Sequence, residues 1–263
     1  FIFIALIFII KVVIYVFVQN DLVNVVLGGG SDANYYNSYA VGVYTSAVNI
    51  WPEILRYLSD RGLYSRKGIS YILFVLNLLI IPFIVTRLAG LKFKDNQKYF
   101  LYSLLLCFLY PTAYYFTFDI YRDVFMVFVF LTGCLVAKSF VNASNIITLI
   151  LTFICSLLVG LLLLELRPYL GYAFILSLFL WKIQYTKNRL LFFSVLYLIS
   201  LFIANYVGVL DLLTEYRSGF ENINSGSTLG LDFSNPILFV PNFILSILGQ
   251  LFGLYITNPA AVI

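Results

Sequence analysis

Residues 146–181 read IITLILTFICSLLVGLLLLELRPYLGYAFILSLFLW. The run is far too long for one bilayer crossing, which takes about 20 residues. A single polar cluster, Glu165-Leu166-Arg167-Pro168-Tyr169, interrupts it. Proline disfavours helix in the residue before it, so the helix breaks at Pro168 and two spans meet in a hairpin. Gly or Asn would suffice for a turn. A Glu, an Arg and a Tyr at a membrane boundary point to use as well as to chain reversal.

The rest of the chain has the same character. Of its 263 residues, 62% are hydrophobic and 11% charged, and the mean hydropathy is +0.98, well outside the range of a soluble domain. Runs of sufficient length give about eight candidate spans, at 1–18, 69–89, 99–116, 124–137, 146–164, 169–181, 190–209 and 237–255. The fourth and sixth are short, which fits tilted helices, spans extended by polar flanks, or segments that do not fully cross. The expectation is an all-α, polytopic transmembrane helical bundle forming one integral membrane domain over 1–263. The first ten residues show neither a basic leader nor a cleavage site, so a trimmed first helix is expected. Pro259 to Ile263 look like the start of another apolar segment, so the natural protein is expected to continue.

Cys107, Cys134 and Cys155 all fall within spans, where a thiol packs as a small apolar group. Histidine is absent, which excludes serine-histidine and histidine-metal chemistry.

Loop charge sets the expected orientation, because Lys and Arg accumulate in short cytoplasmic loops. The loops after spans two, four and six carry eight bases (Arg87, Lys92, Lys94, Lys98, Lys138, Lys182, Lys187 and Arg189) against Asp95 alone. The loops after spans one, three, five and seven carry seven bases against eleven carboxylates. Both ends are then cytoplasmic, and four polar clusters share the extracytoplasmic face: 28–36, 119–123, 165–169 and 216–221. Six of the seven outer bases are Arg, whereas six of the eight inner ones are Lys. A guanidinium offers a rigid donor fork for phosphate or carboxylate, while an ammonium is a solvated point charge.

In the first outer segment, Gly28-Gly29-Gly30 precede Ser31 and Asp32. Either polar residue can cap a helix running through Ala33 to Tyr44, and the Asp32 carboxylate could also face a substrate hydroxyl or cation. From Trp51 onward, Ile54, Leu55 and Leu58 recur at helical spacing, with Glu53, Arg56, Asp60 and Arg61 opposite. That pattern predicts an amphipathic helix at the outer interface, anchored by Trp51 and ended at Gly62. Pro111 should kink or stop the third span. Beyond it, Asp119 and Arg122 stand at i, i+3 and could form a local pair. The last outer loop carries Arg217 among Gly, Asn and Ser.

Together Arg122, Arg167 and Arg217 suit a diphosphate through charge-assisted hydrogen bonds. Asp32 could accept a proton from, or position, an attacking sugar hydroxyl. The aromatics Tyr36, Tyr114 and Tyr115 suit the faces of sugar rings.

The Gly-Ser-Asp-Ala-x-x-Tyr stretch after the first helix, the Tyr110-Pro111-Thr112 to Arg122-Asp123 stretch and the Leu-Arg-Pro-Tyr hairpin resemble bacterial polysaccharide repeat-unit polymerases. The type is that of Wzy and EpsG, within the membrane-embedded GT-C-like glycosyltransferases. The resemblance runs from about Gly28 to Tyr169, with Arg217 as an extension. It implies an undecaprenyl-diphosphate substrate at the outer face of a bacterial inner membrane, an acidic residue matching Asp32, and phosphate-binding arginines matching Arg122, Arg167 or Arg217. The chain departs from it in having about eight spans, where many such polymerases have ten or more, and in lacking one large late outer domain.

The site expected from these readings has Asp32 and Glu165 as catalytic carboxylates, with Arg122, Arg167, Arg217, Tyr36, Asp119 and Tyr169 binding substrate. No organic cofactor is implied, and a divalent metal beside Asp32 is left open. The expected partners are lipid-linked oligosaccharide and membrane lipid, with a chain-length regulator as an option and no nucleic acid. The rival readings are a GT-C-type transferase using a polyprenyl-phosphate sugar donor, a lipid-linked glycan flippase, and a non-enzymatic membrane protein.

Overall fold

The computed structural model describes residues 2–23, 30–180, 186–211 and 235–252, and among these every regular element is helical. The chain divides into two compact units, Phe1–Lys182 and Ile183–Ile263. In the first, α1 spans Ile2–Gln19, α2 Gly30–Ala40 and α3 Ile50–Asp60. Next, α4 (Arg66–Val75), a π turn (Leu76–Ile80) and α5 (Ile81–Leu88) form one continuous rod. Then come α6 (Gln97–Leu109), α7 (Pro111–Tyr115), α8 (Arg122–Val141), α9 (Ile146–Leu166) and α10 (Pro168–Phe179). The second unit pairs α11 (Lys187–Tyr206) with α12 (Pro236–Phe252).

Among the described residues, five helices are long and apolar enough to cross a membrane: α1, the rod Arg66–Leu88, α8, α9 and α11. Two shorter apolar helices, α6 and α10, coincide with the expected third and sixth spans. The fourth span, short on hydropathy, is a full 20-residue helix. Its charged residues lie in the end turns, with Asp123 in the first and Lys138 in the last. The positions of Asp123 and Lys138 suit the helix dipole, that of Arg122 at the first residue opposes it, and all three truncate any purely apolar window.

Prolines end helices where the sequence expected. Pro111 separates α6 from α7, and Pro168 opens α10 directly after Arg167. Pro82 has no N–H for the ladder, and the turn just before it widens to π spacing, with Ile81 N–H reaching Leu76 O.

Small residues set the contacts of α8, α9 and α10. A Cβ on Gly133 would lie 2.7 Å from Val159 Cγ1 and 2.8 Å from Phe174 Cζ, and one on Gly171 would strike the backbone of Leu164. Such close approach is how apolar helices gain packing energy where the surroundings are themselves apolar. It brings the start of α8 beside the end of α9. At the opposite end, Lys138 Nζ donates to Leu88 O (3.0 Å) and Arg87 O (3.3 Å), capping α5.

Between α7 and α8 the chain is not helical, yet Thr117 and Ile120 are fully buried. Its carbonyls are satisfied one by one. Ser70 Oγ donates to Thr117 O (2.7 Å), Gln19 Nε2 to Phe118 O (2.8 Å) and Trp51 Nε1 to Ile120 O (2.9 Å). Because the Ser70 proton is committed to Thr117, Tyr15 donates to Ser70 Oγ at 2.9 Å.

Trp51 is therefore not an interfacial anchor. It is 4% exposed, stacks near Phe125, and with Leu55 plugs α3 into the core against α2 and α9. The polar face of α3 is exposed, as its pattern predicts, but its apolar face packs on protein. Likewise α2 stops at Ala40 rather than Tyr44, because Gly42 takes φ 89° and reverses the chain.

Trp51→Phe keeps the ring but removes the donor to Ile120 O. Leaving that buried carbonyl unpaired costs about 1–3 kcal/mol. A lowered thermal midpoint in detergent is the expected readout, with an unchanged midpoint contradicting the assignment.

Candidate functional site

Three helix ends and the buried 116–121 turn converge at one end of the first unit. Asp32 lies in the first turn of α2, where a carboxylate is favoured by the helix dipole. Arg122 and Asp123 open α8, and Arg167 is the residue between α9 and α10. Arg122 Nη1 donates to Leu166 O at 3.3 Å, and Arg167 Nη1 stands 3.8 Å from Asp123 Oδ1. Arg167 also lies 5.0 Å from the centre of the Tyr169 ring. The close packing of α8 on α9 thus joins two clusters that are more than forty residues apart in sequence.

Asp32 is exposed. It lies close enough to Tyr36 and Tyr121 to oppose their ionisation, and Arg122 and Asp123 bear on Tyr36 as well. Burial is the main cause that raises the Tyr36 hydroxyl above its usual value; Arg122 opposes it, and Asp32 and Asp123 add to it. The Tyr121 hydroxyl is raised too, by burial first and then by Tyr115. Both are neutral at physiological pH and serve as hydrogen-bonding groups, not bases.

Asp119 does not pair with Arg122. The i, i+3 expectation presupposes a helix, and Asp119 sits in the turn before one. Its partner is Arg66 at the start of α4, bound through both nitrogens of the fork: Nε to Oδ1 at 2.8 Å and Nη2 to Oδ2 at 2.5 Å. Asp119 Oδ1 also accepts from Ile120 N–H at 2.8 Å, so this carboxylate is committed to holding the turn. The same Arg66 Nη2 reaches Asn34 Oδ1 at 2.9 Å, tying α2 to the turn. Arg66 was missed as a site residue from sequence, although the outer preference for Arg over Lys includes it.

The remaining expected residues divide. Tyr36 and Tyr114 are 5% and 9% exposed and packed in the core, so their rings are closed to sugar stacking. Tyr169 is 63% exposed. Glu165 is exposed, and its side chain makes no ion pair or hydrogen bond among the described residues. Arg217 lies outside the described residues. Among those described, no group of three or more acidic or cysteine side chains could hold a metal ion.

Beneath the charged residues runs a cavity of about 450 Å3, walled by the π turn, α5, α6, α7 and α8. Ile81, Leu106, Phe116, Val127 and Leu131 give it apolar sides, Asn77 adds one amide, and Asp123 stands at its polar end. From α8 it is lined by Asp123, Val124, Met126, Val127 and Leu131. The slot's own lining carries one charge, the Asp123 carboxylate; Arg167 stands 3.8 Å from that carboxylate and Arg122 precedes it in sequence, so an amphipathic ligand in the slot could present an anionic head to the two guanidiniums just beyond it.

No protein-family model, curated protein or solved structure matches this chain. The chemistry therefore rests on the residues themselves. Arg122 spends one of its five donors on Leu166 O, and the 3.8 Å contact of Arg167 with Asp123 is long and partly exposed, so both forks have donors for an incoming anion.

Asp119→Asn should strip Arg66 of its charged partner and loosen α2, lowering the thermal midpoint, whereas Tyr169→Ala should leave it unchanged. The tyrosines add a pH signature. A hydroxyl whose folded pKa is raised contributes stability that is full below the unfolded value of about 10 and is lost as pH rises through the folded value. The midpoint should therefore fall above about pH 10, and Tyr36→Phe should flatten that fall. An identical alkaline profile for Tyr36→Phe would contradict the burial of its hydroxyl.

Proposed function

We propose that this chain polymerises undecaprenyl-diphosphate-linked oligosaccharide repeat units at the extracytoplasmic face of a bacterial inner membrane. In this reading the helices make about eight crossings, the amino terminus is cytoplasmic, and the Asp32, Arg122 and Arg167 end faces outward. The observation that carries it is the apolar slot that reaches Asp123, with Arg167 3.8 Å from that carboxylate and Arg122 next to it in sequence. The slot takes the isoprene units nearest the head of a polyprenyl chain, and a diphosphate fits the forks. Loop charge supports the orientation.

The reaction needs no nucleotide. A sugar hydroxyl of one lipid-linked repeat attacks the anomeric carbon of another, the new C–O bond forms as the bond from that carbon to the diphosphate oxygen breaks, and Asp32 takes the hydroxyl proton. Arg122 and Arg167 neutralise the departing diphosphate through charge-assisted bonds, which strengthen as charge develops on it. Tyr36 stays neutral beneath Asp32 and helps to fix α2.

Purified protein mixed with lipid-linked repeats tests the reading. Removing one charge-assisted contact, worth about 1.5–3 kcal/mol, should slow elongation roughly ten- to a hundredfold in Arg167→Ala or Arg122→Ala. Loss of a general base in Asp32→Asn should cost about a hundredfold or more. Addition of a single sugar instead of whole repeats would favour the transferase alternative. Elongation indifferent to all three changes would refute the site.

A further inference from the structure

A second cavity, of about 390 Å3, lies between α2 and the loop that follows it. Its lining includes Asn34, Tyr35 and Ser38 from α2, with Tyr44, Thr45 and Ser46 from the loop. The loop is held in place by its own hydrogen bonds. Gly42 at φ 89° turns the chain, Val43 N–H bonds back to Ser38 O (2.8 Å), and Tyr35 Oη donates to Ser46 O (2.7 Å) while accepting from Val48 N–H (3.2 Å). The cavity is thus a built feature of the fold.

Among the described residues, no charged side chain lines it. The slot beneath Asp123 is apolar and ends in charge, whereas this cavity offers an amide, three short hydroxyls and two tyrosine rings. Tyr44 and Tyr35 stack with centres 5.7 Å apart, and about half of Tyr44 remains exposed. Asn34 has its oxygen taken by Arg66, which leaves its NH2 as a donor. An aromatic face flanked by short donors and acceptors matches a neutral, hydroxyl-rich ring, and the volume is that of a small-ligand pocket.

We infer that this cavity is a carbohydrate subsite, holding a neutral sugar of the glycan at a distance from the reacting bond. The inference rests on the glycan reading above. Asp32 and Asn34 are two residues apart, so they leave α2 on nearly opposite sides, separated by about one helix diameter, ~10 Å. A single sugar cannot occupy both places, but a repeat of several rings draped over α2 reaches from one to the other. Arg66 links the two, bonding Asn34 on the cavity side and Asp119 in the turn beneath the reacting site.

The test presents the detergent-purified full chain to an array of lipid-free bacterial surface oligosaccharides. Wild type should retain at least one neutral member. Tyr44→Ala, on an exposed loop, and Ser38→Trp, which fills the cavity, should each weaken retention about tenfold or more, a change of about 1.4 kcal/mol. Tyr44→Phe should bind as wild type does, because the ring remains. Retention that survives both Tyr44→Ala and Ser38→Trp, or no retention of any sugar, overturns the subsite. Elongation of lipid-linked repeats by Arg167→Ala, measured in parallel, reports on the parent reading. Loss of elongation there with intact retention in the cavity variants removes the subsite alone, whereas unaffected elongation removes the reading on which it rests.

Discussion

Buried backbone that is not helical must find its hydrogen bonds within the protein, because an unpaired buried carbonyl or N–H is costly. The turn from Thr117 to Tyr121 is the place where this chain meets that constraint. Three side chains from three different helices, Gln19, Trp51 and Ser70, each donate to one of its carbonyls, and the Arg66 fork holds Asp119. One irregular segment therefore fixes α1, α3 and α4 together. It also sets where α8 begins, and hence where Arg122 and Asp123 stand.

Helix packing supplies the other half of the site. Gly133 and Gly171 let α8, α9 and α10 approach closely enough for Arg122 to reach Leu166 O and for Arg167 to lie beside Asp123. The two halves meet above a slot whose walls include the π turn before Pro82. A local irregularity with a covalent cause, proline's missing N–H, coincides with the wall of the cavity. The far end of the same rod is capped by Lys138. Arginines at one end thus bond carboxylates and one helix carbonyl, while a lysine at the other satisfies helix carbonyls.

Much of the helical layout was legible because run length and proline placement act locally. Residues 146–181 required a hairpin at Pro168, and Pro111 required a break, and both occur. The fourth span was underestimated because charged end residues look like the outside of a helix to a hydropathy window. The partner of Asp119 was not legible. Arg66 lies 53 residues away, and only the folded turn brings the two together. Trp51 and Tyr114 misled for a related reason: an aromatic near a boundary reads alike whether it faces lipid or plugs a core, and both are buried here. The cavities were invisible in sequence, since they are spaces left by the packing of several helices.

Photolabelling with a benzophenone-bearing short-chain prenyl diphosphate, followed by peptide mapping, tests the amphipathic site most directly. Adducts should concentrate on the slot-lining residues Phe116, Val127 and Leu131 and should fall sharply in Arg167→Ala, whose head-binding fork is gone. Labelling spread evenly over exposed apolar residues of α1 and α11, and unchanged by Arg167→Ala, would contradict a built site for a lipid diphosphate.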